Sequence, residues 1–213
     1  MTVSADIYYH LHMGTAITKE SLEASGVGVF FRPRDIKPLG VSFRQLQSLV
    51  SKGVVQDLGS GLYRLSEVQP TELETVAMVA SAVPNAIVCL LSALRIHEIG
   101  TQSPHEVWIA VGRKARKPAR VLTRVRIVRF SGAMLSYGIV TQPILGVSVQ
   151  VTSPARTVVD CFRYRNKIGR DVAIEALRDA VRSRKATVDE IVRAAEVCHA
   201  RTVLRPYLEA LAP

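Results

Sequence analysis

Acidic residues are scarce in this chain. Its 213 residues include 18 Asp and Glu against 28 Lys and Arg, a formal net charge of +10 with an isoelectric point near 9.9. That imbalance favours a polyanionic partner, nucleic acid before an anionic membrane surface, over a merely solvated charged face. Cysteine is also sparse: Cys89, Cys161 and Cys198 lie far apart, and no CxxC or His/Cys cluster is present. A structural zinc site is therefore not expected, and an odd cysteine count fits a reducing cytoplasm. The opening MTVSADIYYHLHMG lacks a basic n-region and a long apolar core, so no secretory signal is expected. The longest apolar run, Ala86 to Leu94, is interrupted by Ser92 and too short to cross a bilayer, so no membrane partner is expected. There is no P-loop, no Gly-x-Ser-x-Gly, no HExxH and no Asp-rich metal motif. The pairs His97-Glu98 and His105-Glu106 lack the rest of a zincin signature, and His10 with His12 falls short of a metal site. No cofactor, metal or catalytic residue is expected on these grounds. What is present in quantity is apolar residue, 48% of the chain, which is the composition of one large or two small globular domains.

The stretch Arg32 to Leu65, RPRDIKPLGVSFRQLQSLVSKGVVQDLGSGLYRL, reads as a compact DNA-reading module. Gly40 suits a tight turn. Ser42 opens a helix whose Phe43, Leu46, Leu49 and Val50 follow the 3.6-residue apolar period, so all four are expected to face inward. The opposite face holds Arg44, Gln45, Gln47, Ser48, Ser51 and Lys52, hydrogen-bonding groups and cations that match base edges and phosphates. Gly53 stands where a helix-ending glycine belongs. Val54-Val55 and Leu62–Leu65 read as two strands joined at Gly59-Ser60-Gly61. With a first helix capped by Thr18, the order is that of a winged helix-turn-helix. The expected DNA contacts are Arg34, Lys37, Ser42, Arg44, Gln45, Gln47, Ser48, Lys52, Ser60 and Arg64.

The rest of the chain predicts a second domain. Ser66 to Thr71 reads as a linker. A helix capped by Thr71 and a nearly continuous apolar helix, Ala86 to Glu98, follow. Strands are expected at 107–111, 125–130, 139–140 and 147–151, and helices from Ser153 to the end. Asp171, Glu175 and Asp179 are expected in ordinary exposed ion pairs along one helix. The fold class is therefore α+β: an N-terminal winged helix-turn-helix over 1–66, with 1–17 as an uncertain extension, then a mixed α/β domain over 71–213 with a small sheet and a helical tail.

Two further constellations carry alternatives. The run Arg113 to Arg129 holds eight Arg or Lys and no acid. Arg113, Lys114, Arg116, Lys117, Arg120, Arg124 and Arg126 form either a second phosphate-binding patch or a solvated loop and a charge-protected edge strand. Arg124, Arg126 and Arg129 suggest one basic strand face. In VTSPARTVVD, Arg156 and Asp160 are four apart on one helix face. They either anchor the tail helices to the sheet or hold Arg156 at a helix N-terminus ready for an anion.

Three pieces of the chain, GVSFRQLQSLVSKGVVQDLGSGLYRL, AIVCLLSALRIHEIG and VTSPARTVVDCFRY, resemble the AbiEi family, antitoxins of type IV abortive-infection toxin–antitoxin systems. The resemblance covers residues 30 to 185, and V-T-S-P-x-R-T-x-x-D is its most specific part. It implies an N-terminal winged domain that binds double-stranded DNA at repeats in its own promoter as an autorepressor. It also implies a C-terminal domain that counters a nucleotidyltransferase-like toxin without forming a stable complex. Onto this chain it carries the recognition-helix positions and Ser153, Pro154, Arg156, Thr157 and Asp160. A transcriptional regulator rather than an enzyme is expected, in the cytoplasm. The alternative from another class is a metal-dependent nuclease or other nucleic-acid enzyme on the sheet domain, resting on the basic run and Glu106.

Overall fold

The computed structural model describes residues 17–66, 69, 71–118 and 121–210. His10, His12 and Arg120 lie outside the described residues. The chain is mixed α+β with two separate sheets. It divides into two compact units. One holds the described residues up to Ala82 together with Pro143–Ser148; the other holds Val83–Gln142 and the described residues from Val149 on.

In the first unit, Thr18 and Ser21 cap each other reciprocally at the start of α1 (Lys19–Ala24), with serine where glutamate is usual. β1 (Phe30–Phe31) and α2 (Pro33–Ile36) follow. A 3-10 turn over Lys37–Leu39 ends at Gly40, whose φ of 77° lies in the region that glycine enters without a Cβ clash. Then come α3 (Phe43–Ser51), β2 (Val55–Gly59) and β3 (Leu62–Leu65). The three strands pair antiparallel in the order β1-β3-β2. β2 and β3 are irregular between Asp57 and Gly59, where the Asp57 carboxylate accepts from the Gly59 N–H at 2.8 Å. The core of Leu22, Phe31, Ile36, Val41, Leu46, Leu49, Val55, Tyr63 and Leu65 draws on all three helices and all three strands, with the Phe31 and Tyr63 rings stacked at 5.9 Å.

The division after Ala82 falls later than the linker expected at 66–71. α4 (Glu74–Ala82) belongs to the first unit, and its polar contacts explain why. Arg64 donates to the Glu74 carboxylate at 2.8 Å, the Ser81 hydroxyl to Phe30 O at 3.2 Å, and the Arg32 guanidinium to Ser81 O and Ala82 O. The segment 143–148 joins the same unit: the Val29 N–H donates to Leu145 O at 2.9 Å, and a Cβ on Gly28 would fall 2.7 Å from the Gly146 carbonyl carbon.

In the second unit, the expected single helix over 86–98 is instead β4 (Ile87–Val88) followed by α5 (Leu90–His97). Cys89 is extended and Leu90 has a φ of 50°, so the chain turns sharply between them. Two adjacent β-branched residues suit the pleated position that β4 takes. β5 (Val107–Gly112), β6 (Val125–Phe130), β7 (Ile139–Ile144) and β8 (Val147–Thr152) complete a five-stranded sheet in the order β6-β5-β4-β8-β7, the end of β7 and the start of β8 being the stretch 143–148 counted with the first unit. β6 runs parallel to β5, from Val107 opposite Val125 to Gly112 opposite Phe130, and forms one edge.

Five helices follow: α6 (Pro154–Arg163), α7 (Arg165–Ile168), α8 (Arg170–Arg182), α9 (Val188–Val197) and α10 (Arg201–Glu209). Proline at the first position of α6 sacrifices no hydrogen bond. Val158, Val159 and Phe162 of this helix enter a core with Leu90, Leu94, Trp108, Phe130, Leu177, Ile191 and Leu204. The acids of α8 depart from the expected ladder of exposed pairs. Glu175 accepts from the Thr101 N–H at 3.0 Å and hydroxyl at 2.8 Å, and Asp179 from the Gly100 N–H at 2.8 Å. They pin the loop after α5, and of the three only Asp179 also pairs along the helix, with Arg182. The Gly100 N–H, ahead of Arg182, holds the Asp179 carboxyl below the usual carboxylate range. Among the described residues, no helix is long and apolar enough to cross a membrane.

Candidate nucleic-acid interface

α3 is set by a reciprocal cap at its start. The Ser42 hydroxyl accepts from the Gln45 N–H, and the Gln45 side-chain oxygen accepts from the Ser42 N–H at 2.8 Å and hydroxyl at 2.7 Å. Val41 just before the cap and Leu46 both enter the core, the arrangement of a hydrophobic staple that fixes the entry angle of a helix. Leu46 and Leu49 face inward as expected, and Val50 packs against the same core. Phe43 does not: it is 64% exposed. Its expected inward position is corrected: Phe43 opens the helix outside the core that Val41, Leu46 and Leu49 share. A first-turn residue with Leu46, Leu49 and Val50 already forming the stripe is surplus to the core, and that surplus is the signal the periodicity concealed.

The outward residues fall into two rows along α3. Arg44, Ser48 and Lys52 recur at four-residue spacing, as do Phe43, Gln47 and Ser51, so each row runs up one side of the helix. All six are exposed. No acid occurs between Ser42 and Gln56, so the row of cations meets no neighbouring carboxylate in sequence. Gln47 reaches the Tyr63 hydroxyl at 3.5 Å, the long limit of a hydrogen bond, and its amide stays adaptable. Lys37, Ser60 and Arg34 are also exposed, Arg34 beside Asp35 at 3.4 Å. Ser60 sits at the tip of the β2–β3 turn, where Gly59, Ser60 and Gly61 all have positive φ (86°, 55° and 70°).

Two expected contacts are committed elsewhere. The Arg64 and Glu74 side chains pair in a half-buried setting, and Arg64 also donates to Leu65 O. Gln45 spends its oxygen on the cap. Both help hold the module together, and of Gln45 it is the side-chain oxygen that is committed to the cap.

In the second unit, Arg113, Lys114, Arg116, Lys117 and Arg124 are exposed. The single basic face expected for β6 does not form, because residues of odd and even number point to opposite sides of a strand. Arg126 lies over the Trp108 ring at 5.3 Å and pairs with Glu106 at 2.7 Å. Arg129, itself exposed, donates to Gly112 O and Ala115 O at the start of the basic loop. Glu106 is thereby engaged by a cation, and among the described residues no group of three His, Cys, Asp or Glu is placed to hold a metal ion.

The VTSPARTVVD segment is buried except at Ser153 and Pro154, which are partly exposed. Ser153 caps α6 by accepting from the Arg156 N–H, and the Thr157 hydroxyl bonds to the Thr152 carbonyl at 3.0 Å and hydroxyl at 2.7 Å. Arg156 and Asp160 are 0% exposed and pair at 3.0 Å. The guanidinium also donates to Tyr137 O at 2.6 Å and Met134 O at 3.2 Å, and lies 4.9 Å over the Phe130 ring. So placed, Arg156 cannot meet an anion from solvent, and the anchoring alternative is the one the geometry satisfies. Asp160 Oδ1 is buried without a hydrogen-bond partner. Burial pushes the Asp160 carboxyl up to about 6, against the pull of Arg156. Burial likewise raises the thiols of Cys89 and Cys161, which keeps them protonated.

The class these elements define is a mixed α+β protein with two sheets. No protein-family profile matches the chain, and no curated protein matches it. Among solved structures it is similar to the RV2827C protein from Mycobacterium tuberculosis, seen in a crystal structure: TM-score 0.52 and 12% identity, covering 98% of this chain and 80% of that one. At that identity the likeness is one of fold.

Proposed function

We propose that the chain is a DNA-binding transcriptional regulator of the AbiEi antitoxin type. Its first unit acts as a winged helix-turn-helix on promoter repeats, with α2 and α3 as the two helices and the β2–β3 hairpin as the wing. The observation that carries this reading is α3: a stapled, capped helix whose outward rows hold Arg44, Ser48, Lys52 and Gln47 with no acid among them. Such a helix fits the major groove, with Arg44 and Gln47 for base edges and Lys52, Lys37 and Arg34 for phosphates. Ser48 adds a hydroxyl donor, Ser42 spends its hydroxyl proton on the Gln45 oxygen of the cap, and Ser60 brings the wing tip to the backbone. The exposed Arg113, Lys114, Arg116 and Lys117 add sequence-independent phosphate attraction. On this reading the second unit carries antitoxicity toward a nucleotidyltransferase-like toxin, and the Ser153–Asp160 segment, buried from Ala155 on, supports it structurally.

The test is a binding titration of the full chain with its own upstream region and with a shuffled duplex, across a range of salt. A preference of about a thousandfold or more for the upstream region is expected. Equal affinity for both duplexes at moderate salt would overturn the DNA reading. Co-expression with a neighbouring nucleotidyltransferase-like protein is expected to relieve its toxicity; growth arrest that persists would remove the antitoxin part alone.

A further inference from the structure

We infer that Phe43 is a specificity-determining residue that packs on the 5-methyl group of a thymine in the major groove. The inference rests on the DNA-binding reading above and goes beyond it by naming a base and a group on that base. Phe43 is a large apolar side chain left 64% exposed, on a helix whose core face is already complete with Leu46 and Leu49. Among the described residues it is not part of the core of this unit. It is the first residue of α3, and helical side chains of its size lean toward the N-terminus. That places the ring at the leading end of the helix, the end that meets base edges in helix-turn-helix docking. Its neighbours on the outward face are Arg44 and Gln47, which suit guanine and adenine edges.

The surroundings choose the occupant. A protein partner would call for further apolar area around the ring, but the exposed rows of α3 offer Arg44, Gln47, Ser48, Ser51 and Lys52 instead. Cations flanking one apolar contact match a duplex, whose phosphates are anionic and whose only apolar group on the major-groove edge is the thymine methyl.

The experiment is a scan of the bound operator in which each thymine is replaced in turn by deoxyuridine, which removes only the methyl group. The full chain and its Phe43→Ala and Phe43→Leu variants are titrated against every duplex. For the wild type, one replacement per recognition helix is expected to weaken binding about fourfold, the effect of one buried methyl group. Phe43→Ala is expected to bind the thymine and deoxyuridine forms of that position equally, and Phe43→Leu to keep part of the difference. Because the side chain is exposed, unfolding of both variants should match the wild type, so an absent response to the methyl reports on the ring itself. A wild-type profile that is flat, or a profile shared unchanged by Phe43→Ala, overturns the inference and leaves DNA binding intact. A chain that prefers no duplex at all overturns the underlying reading as well. Binding of Phe43 to a protein instead would show as a flat thymine scan with full operator affinity in Phe43→Ala.

Discussion

Two arginines, each in the first turn of a serine-capped helix, look alike in the sequence, and the structure gives them opposite surroundings. Arg44 stands on the open face of α3 in the first unit. Arg156 lies sealed in the second unit between Asp160, two carbonyl oxygens and an aromatic ring. An exposed guanidinium keeps its hydration and its freedom to meet a phosphate or a guanine. A sealed one has exchanged both for fixed partners, and its removal strands them. The contrast separates ligand-facing cations from framework cations, and it can be attacked from either side.

The largest expected effect is on the framework side. Arg156→Ala leaves a buried carboxylate and two carbonyls without their donor, and should destabilise the second unit by about 3–5 kcal/mol in a denaturant titration. The joint change Arg156→Met with Asp160→Leu removes both charges and should recover most of that loss. A single variant as stable as the wild type would place Arg156 among the dispensable cations.

A pH series sharpens the same point. The folded Asp160 carboxyl titrates at about 6, above its ordinary value of 3.8. Between those values the folded chain holds a proton that the unfolded chain has released. Stability attributable to Asp160 therefore declines as pH rises from about 4 to about 6 and levels off above. Unfolding measured across that window, wild type against Asp160→Asn, should show the decline only in the wild type. A rise instead would mean that Arg156 outweighs burial.

On the ligand side, Arg44→Ala should cost about 1–3 kcal/mol of discrimination at one base pair and nothing in stability, read by competition between operator variants. Arg64 then falls between the two classes. Its half-buried pair with Glu74 predicts a stability loss of about 1 kcal/mol for Arg64→Ala, with the salt dependence of DNA binding unchanged. A flatter salt dependence would return Arg64 to the residues that touch DNA. Smallest is Arg34→Ala: the exposed pair with Asp35 should be thermally silent, and the salt slope of binding should shallow by no more than a single phosphate accounts for.

Much of the scaffold could be read before the structure was known, because it depends on local chemistry. Ser42 and Ser153 announced the starts of two helices, and the glycines around Ser60 announced a turn. What escaped was decided at a distance. Ile87-Val88 joins a sheet because β5 and β8 lie on either side of it, and an apolar run alone cannot distinguish that from a buried helix. Phe43 counts as core by period but lies outside the core, which takes in Val41, a residue before the helix. Glu175 and Asp179 have arginines in range along α8, yet the backbone of a loop over seventy positions earlier competes for them. The candidate interface was legible in composition, as a polar face bounded by cations. Its division into free and committed side chains was not, since Arg64 and Arg126 are paired by partners that sequence distance hides.

β6 carries one further consequence, for handling the protein. It is an outer strand of the five-stranded sheet, with β5 on one side only, and it bears Arg126 and Arg129. Charge on such a strand opposes the sideways joining of two copies, the first step toward insoluble assemblies. That safeguard is strongest well below the isoelectric point of 9.9 and fades as the whole chain approaches neutrality. Purification near neutral pH and modest ionic strength should keep the protein dispersed, whereas alkaline buffers or replacement of both arginines by apolar residues should turn the solution cloudy.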